Sequence, residues 1–133
     1  MRGLLAVLIV AFSFGCLGEG VTGSSTITGD YTLRTINGSP LPYTISGSGA
    51  NRTEIVRDVI TLYQGGTYAR SRDSRVTVNG QTTTESSMET GSYGLFGTSV
   101  TLVNGADGQN TLATINANTM TIVKAGMTAV FTK

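Results

Sequence analysis

The sequence contains no histidine, no tryptophan and a single cysteine, Cys16. Without histidine, the chain cannot form a Ser-His-Asp triad or use imidazole as a metal ligand or proton carrier near neutral pH. One cysteine excludes a disulfide within the chain. Because Cys16 lies close to the N-terminus, it cannot supply a thiol nucleophile or a cysteine zinc site to a domain further along the chain.

Charge is also scarce: charged residues make up 13% of the chain and the formal net charge is +1. Nucleic-acid binding normally requires a basic stripe or patch, whereas the arginines here are scattered and mostly alternate with acidic residues. We therefore predict no nucleic-acid partner. The low net charge also argues against disorder, and 133 residues suffice for one domain.

The acidic residues give little support for catalysis. A glycosidase needs two carboxylates about 5–9 Å apart in a cleft, and such clefts are usually lined by aromatic rings, which form only 7% of this chain. Asp107 lies in a segment that resembles a fragment of a calcium loop, but the further carboxylates that Ca²⁺ needs are missing, so a turn is the better interpretation. We predict a protein that is not an enzyme and has no metal site or cofactor.

Residues 1–15 have the pattern of a signal peptide. Arg2 precedes an apolar run of eleven residues at positions 4–14, and small residues follow it. A transmembrane helix needs about 20 apolar residues, so this run is too short to be one. We predict that the chain is exported.

Residues 13–16, Ser-Phe-Gly-Cys, resemble the cleavage box of bacterial lipoproteins, in which the cysteine becomes the lipidated first residue. The resemblance implies lipidation at Cys16 and a cell-envelope protein, attached to the membrane and facing the periplasm or the surface. That family usually has Leu and a small residue where this chain has Ser13 and Phe14. The alternative is therefore cleavage at a nearby glycine and a secreted soluble product. Residues 16–29 have the composition of a flexible tether.

From residue 30 onward, short runs rich in Thr, Val, Ile and Tyr alternate with turn dipeptides, which is typical of strands. Residues 54–62 could form a helix on pattern alone, but their Ile and Val content favours a strand. We predict that residues 30–133 form an all-β domain, an antiparallel up-and-down meander of about eight strands that closes, or nearly closes, into a small barrel. The predicted strands are 30–36, 43–45, 54–63, 67–78, 81–95, 99–103, 112–116, 119–124 and 127–132, with a loop at 46–52.

Twelve hydrophobic residues on these strands are expected to form the core. They are Tyr31, Leu33, Ile60, Leu62, Tyr68, Tyr93, Val100, Leu102, Ile115, Met120, Ile122 and Phe131.

The hairpin around Asn79-Gly80, a strong type I′ turn signal, carries the most informative polar pattern. A two-residue loop places Arg70 opposite Glu89, Arg72 opposite Ser87 and Ser74 opposite Glu85. The residues that share one face of the hairpin, our candidate ligand or interaction site, are Tyr68, Arg70, Arg72, Glu85, Glu89 and Tyr93.

We expect the charges of this face to form cross-strand ion pairs in contact with solvent. If the two tyrosines instead point into the core, the charges continue along the inside of the barrel to its mouth. Twelve residues of strand span about 40 Å at ~3.3 Å each. Because this exceeds the height of a small barrel, we expect the hairpin to project or to contain a bulge.

The start of the domain resembles short bacterial lipocalin-like envelope proteins. The shared residues are Gly29-Asp30-Tyr31, Leu33, Asn37-Gly38 and Leu41-Pro42, and later Gly66-Thr67-Tyr68, Gly91-Ser92-Tyr93 and Phe131. The chain lacks the tryptophan of that pattern, and we expect its end, Phe131-Thr132-Lys133, to lack the basic residue that often packs over the first-strand aromatic ring. The resemblance implies a calycin-type barrel that can bind a ligand, and it supplies no catalytic residues.

Two functions stay open at this point. The barrel could hold a small apolar or amphipathic ligand in the cell envelope, which the resemblance favours. Alternatively, it could be a structural or adaptor lipoprotein domain with a filled interior, acting through its surface or its long hairpin. Interior volume discriminates between them, because ligand pockets usually have about 300 Å³ or more. The sequence does not indicate whether the protein is a monomer or an oligomer.

Overall fold

The computed structural model describes residues 27–133, which form ten antiparallel strands. The strands are β1 (Gly29–Ile36), β2 (Ser39–Pro40), β3 (Tyr43–Ser48), β4 (Asn51–Leu62), β5 (Thr67–Val78), β6 (Gln81–Phe96), β7 (Ser99–Asn104), β8 (Asn110–Asn116), β9 (Thr119–Lys124) and β10 (Met127–Thr132). Eight of them close into a barrel, because β1 pairs with β10 on one side and with β4 on the other. The short strands β2 and β3 are additions beside β1 and β4. The prediction of an all-β antiparallel barrel is confirmed.

The structure differs from the prediction by more than two residues at two places, and other predicted strand ends shift by one or two residues. Residues 46–52 are not a loop, because β3 continues to Ser48 and β4 begins at Asn51, with Gly49 in the left-handed region at φ +57° making the tight link. The Gly and Ser content of this segment suggested a loop, but pairing with β4 holds it in a strand. The domain also begins before Asp30, since the side chain of Ile27 is buried in the core. The signal segment, Cys16 and the rest of the tether lie outside the described residues.

The β5–β6 hairpin has the predicted register. Asn79 and Gly80 form its turn with φ values of +50° and +77°, and pairing continues without interruption from Val78–Gln81 to Thr67–Ser92. A type I′ turn needs two residues with positive φ, which asparagine and glycine tolerate best. Arg70 therefore lies opposite Glu89, and Arg72 opposite Ser87.

All twelve predicted core residues are buried, and Ile27, Ile36, Ile55 and Ala113 join them. The hydroxyl groups of the buried tyrosines Tyr31 and Tyr93 donate hydrogen bonds to backbone carbonyls within the domain. Tyr31 donates to the carbonyl of Ile27 and Tyr93 to that of Tyr63, both at 2.8 Å. A buried hydroxyl without a partner would be costly, so these bonds explain how tyrosine can serve as a core residue here.

The end of the chain corrects one expectation. Lys133 does supply a basic residue over the first-strand aromatic ring, since its Nζ lies 5.9 Å from the centre of the Tyr31 ring. Attraction between an ammonium group and the face of an aromatic ring fixes the last residue against β1. The sequence did not reveal this contact, because closure of the barrel between β1 and β10 brings the two termini of the domain together.

The two ends of the barrel differ. One end carries Ile27, Lys133 and the turns at residues 63–66, 97–98 and 117–118, and we call it the closed end. At the other, open end, β6 continues beyond β7, which pairs with it only from Gly91 to Phe96. Residues 43–48, 51–57, 72–78 and 81–88 therefore project as a four-stranded sheet, which we call the arm. Of the two expected alternatives for the β5–β6 hairpin, projection occurs and a bulge does not, because its pairing is continuous. A bulge does occur in the neighbouring strand β4, between Ile55 and Arg57, where none was predicted.

Candidate functional site

The bulge in β4 organises the open end of the barrel. Before the bulge, Glu54 lies on the outer face of the arm, opposite Arg75; after it, Asp58, Ile60 and Leu62 alternate toward the interior. A bulge inserts one extra residue and so reverses which residues of a strand face inward. Both Ile55 and Asp58 thereby reach the inside of the barrel mouth.

Asp58 is fully buried and binds two arginines. The Arg70 guanidinium forms a bidentate pair with it, with Nε 2.9 Å from Oδ1 and Nη2 2.7 Å from Oδ2. Arg72 adds its own Nε and Nη2, at 2.9 Å and 2.8 Å from Oδ2. One carboxylate thus holds two guanidinium groups on neighbouring positions of the inward face of β5.

Arg70 is the more enclosed of the two arginines. Burial alone would lower the pKa of its guanidinium, but the hydrogen bonds and the charge of Asp58 outweigh burial and raise it. Its Cζ also lies 6.0 Å from the centre of the Phe131 ring. Arg70 is therefore a permanent cation, placed between the filled core and the mouth.

Tyr68 and Glu89 complete this polar layer. The Tyr68 hydroxyl donates to Oε1 of Glu89 in a short hydrogen bond. Burial, followed by this hydrogen bond and the charge of Glu89, raises the pKa of Tyr68. Tyr68 therefore stays neutral and acts as a donor over the physiological pH range.

The structure places the predicted site residues as follows. Tyr68 and Tyr93 point into the core, so Arg70, Arg72 and Glu89 face the barrel interior, whereas Glu85 is exposed on the arm. The expectation that the arginines pair with Glu85 and Glu89 on a solvated face is wrong, because both arginines pair with Asp58 instead.

Asp58 was missed as a site residue by sequence reasoning. A signal for it exists: within β4 it has the same parity as Ile60 and Leu62, so period-two alternation alone places a carboxylate on the core face. The partner strand carries Arg72 opposite Asp58 and Arg70 two residues away on the same face, which is the charge that a buried carboxylate needs.

A cavity of about 410 Å³ opens at the mouth of the barrel. One part of its wall is apolar and consists of Leu33, Ile36, Ile45, Ile55, Ile122, Met127 and Ala129. The other part is charged and consists of Asp58, Arg70, Arg72, Glu89 and Lys124. Below the cavity, large buried side chains such as Tyr31, Leu102 and Phe131 fill the barrel. The space is therefore amphipathic, and the base of the arm supplies part of its wall through Ile45 and Ile55.

A second charged cluster lies on the outer face of the arm. Glu54 accepts a hydrogen bond from Arg75 at 2.9 Å and lies 3.2 Å from Nε of Arg52. The hydrogen bond from Arg75, more than the nearby charge of Arg52, lowers the pKa of Glu54. Its residues do not line the cavity at the mouth of the barrel, and we interpret the cluster as a cross-strand contact that stabilises the arm.

The part of the chain that the structure describes offers no group of three acidic, cysteine or histidine residues that could hold a metal ion. Every buried side-chain nitrogen or oxygen in residues 27–133 has a hydrogen-bond partner. Within the same residues, no helix has the length and hydrophobicity to cross a membrane.

Comparisons with protein-family models, with curated proteins and with solved structures find no match to this chain.

Proposed function

We propose that the protein is a non-catalytic, exported barrel that binds one small amphipathic molecule at its open end, as a lipocalin-like protein of the cell envelope. The observation that carries this proposal is the cavity of about 410 Å³ at the mouth, whose wall is apolar on one side and charged on the other. This volume lies in the usual range for small-molecule sites, about 300–1,000 Å³.

The polar layer supports the same proposal. Asp58, Arg70 and Arg72 satisfy one another, so a ligand can contact their outer atoms without leaving a buried charge unpaired. Lys133 over Tyr31 supports the lipocalin-like part of the proposal, because lipocalins often place a basic residue over the first-strand aromatic ring. We carry over lipid attachment through Cys16 as part of this proposal, with a secreted soluble product as the alternative.

Probe binding tests the cavity directly. We expect the neutral fluorophore 1-aminoanthracene to bind and to gain fluorescence in the apolar part of the mouth. Ile45 and Met127 lie at the rim and are 41% and 37% exposed, so their replacement leaves the core intact. The Ile45→Gln, Met127→Gln double variant should bind the probe about tenfold more weakly, which corresponds to ~1.4 kcal/mol.

Val123→Gln is the matched control, because Val123 is exposed on the outside of β9 and lies outside this cavity. Equal binding by the double variant and the control would contradict a site at the mouth. Native mass spectrometry of protein from its own host would reveal acylation at Cys16 and a co-purifying small molecule in one spectrum. If neither a native ligand nor probe binding is found, the adaptor with a filled interior is the better function.

A further inference from the structure

The closed end of the barrel carries few charged residues. Its three turns, Tyr-Gln-Gly-Gly at 63–66, Gly-Thr at 97–98 and Ala-Asn at 117–118, contain no charged residue. Five of the six arginines in the described residues instead lie on β4 and β5, toward the open end and the arm. The charged residues beside the closed end are Asp30, which accepts a hydrogen bond from Thr61, and Lys133, which lies over Tyr31.

Two aromatic side chains are exposed at this end of the barrel. Phe96, the last residue of β6, is 90% exposed, and Tyr63, which follows β4, is 49% exposed. Both strands end at the closed end, so both aromatic residues lie at this end of the barrel. Contact of such an exposed phenylalanine ring with water is unfavourable, and the ring is stabilised where it can bury its surface against apolar groups.

The chain enters the domain at the same end. Ile27 is buried there, where its carbonyl accepts the hydrogen bond from Tyr31. Ten residues separate Ile27 from Cys16, and they can span at most about 35 Å when fully extended. If Cys16 is lipidated, as proposed above, the tether joins the domain at the closed end, so this end is the one tied to the bilayer and the mouth lies at the opposite end of the barrel.

We propose that the closed end is a membrane-facing surface, with Phe96 and Tyr63 resting in the interfacial region of a lipid bilayer. Tyrosine favours this region because its ring is apolar and its hydroxyl group can stay hydrated. The ring of Phe96 is stabilised there by leaving water for apolar surroundings. The uncharged turns allow close approach, since no turn residue has to lose the hydration of a charge. In this arrangement the ligand mouth opens away from the bilayer. The proposal rests on the lipid attachment proposed above and does not depend on ligand binding at the mouth.

The chain has no tryptophan, so a single introduced tryptophan reports its own surroundings. Phe96→Trp places the reporter at the closed end. Met88→Trp is the matched control, because Met88 lies on the same strand near the arm and is 78% exposed. Both positions are exposed, so neither change should affect folding. The protein is recovered with its N-terminus as the host processes it and is reconstituted into phosphatidylcholine vesicles with brominated acyl chains.

We expect the emission of the Phe96→Trp variant to shift to shorter wavelength on reconstitution and to be quenched by the brominated chains. The Met88→Trp emission should keep its water-exposed wavelength and its quenching by acrylamide. Phe96→Ser should weaken vesicle binding, while Met88→Ser should not. Equal behaviour of the two tryptophan variants would overturn the proposal. A blue shift of the Phe96→Trp variant without vesicles that grows with protein concentration would also overturn it, since it would assign the surface to a second copy of the chain.

Discussion

At the scale of single residues, Asp58 illustrates how the interior accepts charge. The carboxylate is 0% exposed, and four guanidinium nitrogens of Arg70 and Arg72 surround it at 2.7–2.9 Å. A buried ion pair is weak evidence for stability, because desolvation of both charges offsets their attraction. Removing one partner is different, since the remaining charge then stays buried without compensation.

Asp58→Asn should therefore destabilise the domain by about 3–5 kcal/mol. The free energy of unfolding is measured by urea denaturation. Asp73→Asn is the control, because Asp73 is on the neighbouring strand, is partly exposed and lies 3.7 Å from Arg57. An exposed pair contributes about 0–1 kcal/mol, so this control should lose little. Similar losses in the two variants would contradict the role of Asp58 as the charge that holds both arginines.

Because of the buried tyrosines, the free energy of unfolding should depend on pH in the alkaline range. Burial raises the pKa values of Tyr31, Tyr68 and Tyr93 above the ordinary value of 10.0, with the hydrogen bond to Glu89 as a second cause for Tyr68. These groups stay protonated when folded and lose their protons on unfolding once the pH exceeds about 10. Their contribution to stability is therefore complete below pH 10 and decreases as the pH rises toward the raised values.

Tyr68→Phe should make this decrease less steep. Unfolding of the variant above pH 10 should release one proton fewer, as obtained from the slope of unfolding free energy against pH. The loss of the hydroxyl should also leave Glu89 without its donor. An unchanged slope would show that Tyr68 ionises as readily in the folded barrel as in the unfolded chain.

At the scale of elements, strand β6 shows why one glycine is required. Gly91 lies opposite Tyr68, and a Cβ at this position would lie 2.0 Å from the Val103 carbonyl oxygen and 2.8 Å from Cε1 of Tyr68. The Tyr68 ring covers the space that a side chain would occupy. Gly94, three residues further along β6, would meet no atom within 4 Å.

Gly91→Ala should destabilise the barrel by about 3 kcal/mol, because the added methyl group forces β7 or the Tyr68 ring to move. Gly94→Ala should be neutral or stabilise by a few tenths to ~1 kcal/mol, because it reduces the freedom of the unfolded chain. Thermal unfolding of both variants compares them. A mild effect at Gly91 would mean that β6 and β7 can separate locally at little cost.

The elements also show what sequence can and cannot predict. The register of β5 against β6 was predicted correctly from the Asn79-Gly80 turn and from the side-chain alternation in the two strands that it joins. This was possible because pairing in a hairpin is local. The twelve predicted core positions followed from alternation of the same kind along all the strands that carry them. The partner of Arg70 and Arg72 was not predicted: alternation places Asp58 on the core face, but its contact with the two arginines depends on the register of β4 against β5, which the bulge after Ile55 shifts. The contact of Lys133 with Tyr31 depends on barrel closure and was likewise not predicted.

At the scale of the whole molecule, the two ends of the barrel have different chemistry. The open end combines charge, an apolar wall and the projecting arm, whereas the turns of the closed end are uncharged and this end bears Phe96. The barrel below the mouth is filled, so a ligand and a membrane contacting opposite ends would not touch each other. Because Ile45 and Ile55 belong to the arm and Ile122 and Met127 to the barrel, a ligand in the mouth would join the two parts.

Hydrogen exchange should detect this joining. Without ligand, amides of the exposed β6 segment 81–88 should exchange faster than those of β7, since local stability follows burial. A saturating amount of 1-aminoanthracene, about 100 times its Kd, adds ~2.7 kcal/mol to global stability. Beyond this uniform effect, exchange should slow most around Ile45 and Met127, which line the cavity from the arm and from the barrel. Phe96, at the far end, serves as the internal reference. If protection rises equally at Ile45 and at Phe96, the probe stabilises the fold without binding in the mouth.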